Sequence, residues 1–193
     1  MATATAVKTT RSGRPKVPAL NKARIAAAAA DQLDAELAKI TDPQDRLRHL
    51  GDVERAAHHT IEDNETAMRK QALSVALHEG ARGVYQAIGL SREAFSRMTA
   101  DALGDWPDRP VAWDETVVAR AKEQGIRYYR DAATTLPDLA LKVVTAKAQK
   151  DVIRPRRDAL VKELFEVHGL KRTEIAAIIG RTPSRVSHIT KAG

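Results

Sequence analysis

An all-α fold follows from three observations on this 193-residue chain. Apolar residues recur at spacings of three and four along most of it, no run alternates with period two, and no glycine-rich hairpin turn separates candidate strands. Hydrophobic residues make up 43% and charged residues 30%, the balance of a chain that buries a core and keeps a wetted surface. Cysteine is absent, which excludes disulfides, Cys-ligated zinc and thiol catalysis. The longest fully apolar run, Ile25–Ala30, is too short to span a membrane, so no membrane partner is expected.

Residues 1–20 hold hardly any large apolar side chain and cannot offset the entropy of ordering, so they read as a disordered basic arm. Ile25, Leu33, Leu37 and Ile40 mark a first helix. At Asp42–Pro43 that helix stops and another starts, with Asp42 as N-cap and Pro43 at the first helical position. Leu47, Leu50, Val53, Ala57 and Ile61 form the next stripe, and Met68, Leu73, Val75 and Leu77 begin a further helix that Gly80 ends. Two prolines and a glycine within Gly104–Pro110 make the strongest boundary signal in the chain. The expected organisation is therefore a helical domain over residues 21–104, a linker at 105–112 and a second helical domain over 113–193. In the second domain Trp113, Val117, Ala121 and Tyr128 predict a helix broken near Gly125. Leu136–Ala148 predicts another, capped by Thr135 with Pro137 in its first turn, and Arg154–Pro155 punctuates before a final helical run.

The net charge of +7 is unevenly spread. Residues 1–30 carry six basic groups and no acidic one, and residues 145–193 carry eleven Lys or Arg against five Asp or Glu. The stretch 31–144 is left at −5. Basic ends around an acidic middle are the distribution expected when the ends meet a polyanion.

The segment from Arg157 to Lys191 gives that expectation a form. Leu160, Leu164 and Phe165 mark a scaffold helix that stops at Gly169. Thr173 is positioned to cap a second helix with Ile175, Ala176 and Ile179 inward. Gly180 follows, where the chain must reverse sharply and a left-handed backbone costs glycine least. Thr182 caps a third helix, Pro183 sits in its first turn, and Val186 and Ile189 face inward. Ala176 lies four residues before the turn glycine, where two helices cross closely and a small side chain is wanted.

These residues resemble the helix-turn-helix of bacterial DNA-binding proteins, and RTEIAAIIGRTPSRVSHI is most similar to the region-four type of sigma factors. Arg181 departs from the family pattern, which has an apolar residue after the turn glycine. The resemblance implies a prokaryotic or phage setting and a third helix that enters the major groove. Its outward positions are Thr182, Pro183, Ser184, Arg185, Ser187, His188 and Lys191, with Arg172 at the start of the second helix completing the DNA-contact candidates. Arg185 and Lys191 suit phosphate or guanine, while Ser184, Ser187 and His188 offer short donors to base edges.

A weaker copy of the pattern occupies residues 70–99. Gly89 parallels Gly180, Ser91 parallels Thr182, and Phe95 and Met98 parallel Val186 and Ile189. This copy is four residues shorter between scaffold and turn, and it places Tyr85 where a small residue belongs. Ser91, Arg92, Ser96 and Arg97 are its candidate secondary DNA contacts. The arm adds a third candidate: Gly13, Arg14, Pro15 and Lys16 resemble the AT-hook core, with Ser12 in place of its first arginine. Arg14 and Lys16 would then lie in an A/T-rich minor groove.

Catalysis finds no pattern to carry it. The six histidines show no metal-ligand spacing, His58 and His59 read as helix-surface residues, and no glycine loop or strand framework is present to hold phosphate or position acids. The expectation is a non-enzymatic protein without cofactor or metal. It has two small helical domains, each ending in a helix-turn-helix, and its partner is double-stranded DNA. Sequence-specific transcriptional regulation in the cytoplasm, at the nucleoid, is the leading reading. A nucleoid-associated, plasmid-partition or replication protein, a recombinase accessory, and a sigma-like adaptor whose acidic middle binds RNA polymerase are the alternatives, and self-association is left open.

Overall fold

Asp42 begins the longest helical stretch of the N-terminal half as its sequence requires: the Gln44 amide donates to Asp42 Oδ1 at 2.8 Å, and Pro43 supplies the first helical residue. In the computed structural model, which describes residues 16–80, 82–103 and 115–191, the order is α1 (Lys22–Leu37), α2 (Pro43–Ser74), a π-helical turn (Val75–Glu79), α3 (Val84–Ala87), α4 (Arg92–Ala102), α5 (Glu115–Glu123), α6 (Ala132–Glu166), α7 (Arg172–Ile179) and α8 (Pro183–Lys191). The described residues contain no strand, only an isolated bridge between Lys16 and Arg82. The fold is all-α. No helix among the described residues is long and apolar enough to cross a membrane.

Two expected breaks do not occur. The stripes Leu47–Ile61 and Met68–Leu77 belong to one helix, which runs to Ser74 and ends through the π-helical turn at Gly80, whose φ of 57° is left-handed. Likewise Thr135 caps nothing. It lies in the first turn of α6, where its Oγ1 donates to the Asp131 carbonyl (3.0 Å) and to Gln71 Oε1 (2.9 Å). Pro137 and Pro155 both sit inside α6 rather than at its ends. An interior proline removes one helical hydrogen bond and costs about 3 kcal/mol. At Pro155 the helix persists because Ile153, Arg157, Leu160, Val161 and Leu164 on either side of it are buried. The Arg156 guanidinium also donates to the Val152 carbonyl at 2.9 Å.

The chain forms two compact units that do not follow the expected sequence order. One holds the described residues up to Asn21 together with those of Glu62–Val144; the other holds Lys22–Ile61 together with the described residues from Thr145 onward. The division falls within α2 and within α6. The expected linker 105–112 lies outside the described residues, yet Leu103 and Ala121 on its two sides belong to the same core, together with Met68, Leu73, Phe95 and Leu136. The second core is built from Leu33, Leu47 and Leu50 with Ile153, Leu164, Ile175, Val186 and Ile189. A reading that breaks α2 between its two apolar stripes and α6 at Pro155 cannot pair segments so far apart in sequence.

The first unit also corrects the end of the expected arm, residues 16–20. Residues 1–15 lie outside the described residues, but Val17 is buried at 2% exposure, and its amide donates to the Arg82 carbonyl at 3.3 Å. Leu20 packs against the same core. Val17 and Leu20, two apolar side chains too few to register in composition, are enough to dock residues 16–20.

Candidate nucleic-acid interface

The C-terminal end of α6, α7 and α8 carry most of the residues singled out for DNA contact. Glu163 and Leu164 carbonyls accept the amides that close α6, with Leu170 N–H reaching Leu164 O at 3.0 Å across Gly169, whose φ of 66° permits the reversal. The α7 start differs from expectation. Lys171, not Thr173, is the N-cap. Lysine has no side-chain acceptor, so the stabilising contact runs the other way: the Glu174 carboxylate accepts the Lys171 backbone N–H at 2.7 Å.

Between α7 and α8 the chain turns at Gly180, φ 60° and ψ 38°, and the Arg181 amide donates to the Ala176 carbonyl at 3.0 Å. Ala176 is 3% exposed, as a close crossing wants. Thr182 follows, accepting the Arg185 and Val186 amides on its carbonyl (3.0 and 3.3 Å) and the Arg185 amide on Oγ1 at 3.4 Å. Pro183 opens α8. The helix is sharply two-faced: Val186 and Ile189 are buried, while Thr182, Pro183, Ser184, Arg185, His188 and Lys191 are exposed and Ser187 is half-buried. Arg172 is engaged internally. Its guanidinium lies 4.5 Å from the Phe165 ring centroid, and its Nε donates to Thr190 Oγ1 at 3.4 Å.

Beside the α8 N-terminus lies an open depression of about 930 Å³ that the sequence reading did not find. Lys150, Arg154 and Arg157 of α6 line it with Arg181, Thr182 and Arg185, against Glu54 of α2 and Asp151. Their spacing along α6, four residues and then three, places the three cations on one helical face. That signal was present in sequence, but it is legible only when α6 is carried through Pro155. Arg157 is nearly buried and donates to both Glu54 oxygens at 3.0 and 2.9 Å, and to Asp158 at 3.2 Å. Arg181, the departure from the family pattern, turns outward with its guanidinium 3.7 Å from Glu54. Asp34 accepts two bonds from Arg156 at 2.6 Å, tying α1 to α6 and holding the Asp34 carboxyl below its usual range.

The earlier copy is built differently. Its turn matches: Gly89 has a φ of 71°, and the Leu90 amide donates to the Tyr85 carbonyl at 2.9 Å, as Arg181 does to Ala176. Ser91 caps α4 by accepting the Ala94 amide at 3.1 Å. However, α3 has four residues where α7 has eight, because Tyr85 replaces the small residue and four positions are missing. Arg92 and Arg97 are exposed and Ser96 is half-buried, whereas Thr99, the counterpart of half-buried Thr190, is 1% exposed with its hydroxyl donated to Phe95 O at 2.9 Å. Of the arm candidates, Arg14 lies outside the described residues and Lys16 is exposed beside Arg82. His58 and His59 are exposed on α2, and no group of acidic or histidine residues among those described is arranged to hold a metal. No protein-family model, curated protein or solved structure matches this chain.

Proposed function

We propose that this chain is a sequence-specific double-stranded-DNA-binding protein, a transcriptional regulator that reads the major groove with α8 in a helix-turn-helix formed with α7. The observation that carries the reading is the division of α8 into an anchored and a free face. Val186 at 0% and Ile189 at 6% exposure fix the helix to its core, and a run of exposed hydroxyl, imidazole and cationic side chains is left outward. A recognition helix needs both: immobility, so that base contacts cost little ordering, and free donors of the right reach. The +6 charge of residues 145–193 supplies the phosphate attraction that any duplex binder requires. A cytoplasmic, nucleoid-associated location goes with this reading, and no catalytic step is assigned.

The test is selection of bound sequences from a random duplex pool with the full chain, followed by titration of selected and random duplexes. An enriched motif supports the reading, and Ser187→Ala and His188→Ala should each then cost about 1–3 kcal/mol on the selected site and far less on random DNA. Binding without enrichment would point to an architectural protein, and no binding would overturn the reading.

A further inference from the structure

The depression beside the α8 N-terminus holds more positive charge than its own architecture explains. Arg157 and Glu54 neutralise one another, which leaves Lys150, Arg154, Arg181 and Arg185 facing the single carboxylate of Asp151. Among the described residues, Lys150, Arg154 and Arg185 make no ion pair. The fourth, Arg181, is 54% exposed and sits 3.7 Å from a carboxylate already occupied by Arg157. Cations gathered in one concavity repel each other and raise the local potential, a cost offset when an anion fills the site. The trough is also wide and open to solvent, whereas a small-molecule site buries most of its ligand. An extended polyanion suits it better.

We infer that this trough grips the sugar–phosphate backbone of the same duplex whose bases α8 reads, with Lys150 and Arg154 of α6 and Arg181 and Arg185 of the turn and α8 as phosphate ligands. The inference rests on the DNA-binding reading and adds a register to it. Thr182 and Arg185 line the trough, so one strand is held at the N-terminal end of α8. Base reading then falls to the turn beyond, at Ser187 and His188, and Arg185 holds phosphate rather than guanine. Lys191 lies about 13 Å further along the axis than Thr182, at roughly 1.5 Å per residue, and faces the far side of the groove.

The experiment titrates the full chain with a selected and a random duplex across a range of salt concentrations. Lys150→Gln with Arg154→Gln should lower affinity by the same factor on both duplexes and flatten the slope of log affinity against log salt by nearly 2, about 0.9 per lost phosphate contact. The charge-keeping pair Lys150→Arg with Arg154→Lys should restore the slope, and Arg185→Ala should show the same uniform loss. Thermal unfolding of each variant alongside wild type separates lost contacts from lost fold. An unchanged slope, or a loss confined to the selected duplex, overturns the phosphate assignment while wild-type binding leaves the DNA reading intact. Binding of inorganic pyrophosphate that disappears in the Gln pair, with the DNA slope unchanged, would assign the trough to a small anion and overturn it equally. Wild type that binds no duplex overturns the DNA reading itself and the inference with it.

Discussion

The guanidinium of Arg157 lies 2.9 Å from Glu54 Oε2, with the arginine side chain 7% and the glutamate side chain 21% exposed. The pair joins α2 to α6 beneath the cationic trough. Breaking a buried pair on one side leaves a charge without compensation, whereas replacing both members by apolar groups removes the desolvation cost along with the attraction. Glu54→Ala should therefore destabilise the protein by about 3 kcal/mol, and Glu54→Leu with Arg157→Met should stay within about 1 kcal/mol of wild type. Urea unfolding of the single and double variants measures both. A single variant as stable as wild type would show that Asp158, which Arg157 also reaches at 3.2 Å, compensates it together with water.

Pro155 gives the opposite sign. It sits inside α6, eleven residues before the helix ends at Glu166, so the amide that would complete the helical ladder toward Asp151 is missing. Pro155→Ala restores the donor and relieves the ring's clash with the preceding turn. It should stabilise by about 1–3 kcal/mol, the lower part of the range if the ladder has already adjusted around the ring. A midpoint shift in urea at constant slope is the measurement, and a neutral or destabilised variant would mean that a bend at Pro155 is needed for packing.

The same proline shows where the sequence stops being legible. Local signals were reliable where one side chain decides one backbone event: Asp42 capping α2, Gly80 and Gly180 ending helices, Thr182–Pro183 opening α8. The inward set Ile175, Ala176, Ile179, Val186 and Ile189 was legible because its spacing is helical and its segments adjoin in sequence. Pro137 and Pro155 carried the wrong message, since burial of their neighbours outweighs the local penalty and no local rule contains that burial. The pairing of α1 and the first part of α2 with the last part of α6 depends on contacts such as Asp34–Arg156, 122 residues apart. The trough was lost with it, because Lys150 and Arg154 join Arg181 only when α6 is continuous.

Glu79 closes the π-helical turn with its Oε1 buried and unbonded, beside His78, whose Nε2 is also unbonded. Burial pushes the Glu79 carboxyl above its ordinary value of 4.5. The native state thus binds this proton more tightly than the unfolded chain does, so stability contributed by Glu79 is full below 4.5 and falls as pH rises through the raised native value. Glu79→Gln removes the titration and should raise Tm at pH 7, with the advantage gone near pH 4. Asp34 and Glu36 are held below their usual range, Asp34 by Arg156 and Glu36 by Gln32 and His49, so their stabilisation is lost as pH falls. They titrate alike in both proteins and cancel in the difference. An advantage that persists unchanged at pH 4 would assign the effect to packing.

Two segments of this chain share a turn, and under the proposed DNA-binding function they are unequal candidates for the duplex. In both, a left-handed glycine follows a carbonyl that accepts the amide five residues on, Tyr85 to Leu90 and Ala176 to Arg181. The resemblance ends in the helix before the turn. Four residues of α3 give a single turn, too short to support α4 as eight-residue α7 supports α8. The charge differs as well: residues 145–193 carry +6, whereas Ala67–Gly104 carries five basic and three acidic residues, and Glu93 stands in the first turn of α4. A carboxylate there repels phosphate unless it meets a cytosine amino group. Ser184→Ala with Arg185→Ala should therefore reduce duplex affinity at least tenfold, a loss of about 1.4 kcal/mol or more, while Arg92→Ala with Arg97→Ala changes it by less than about threefold. Both pairs are exposed and outside the cores, so neither should alter thermal unfolding. Anisotropy titration of wild type and the two double variants on one selected duplex at fixed salt decides it, and a larger loss from the Arg92 and Arg97 pair would make α4 the principal reader.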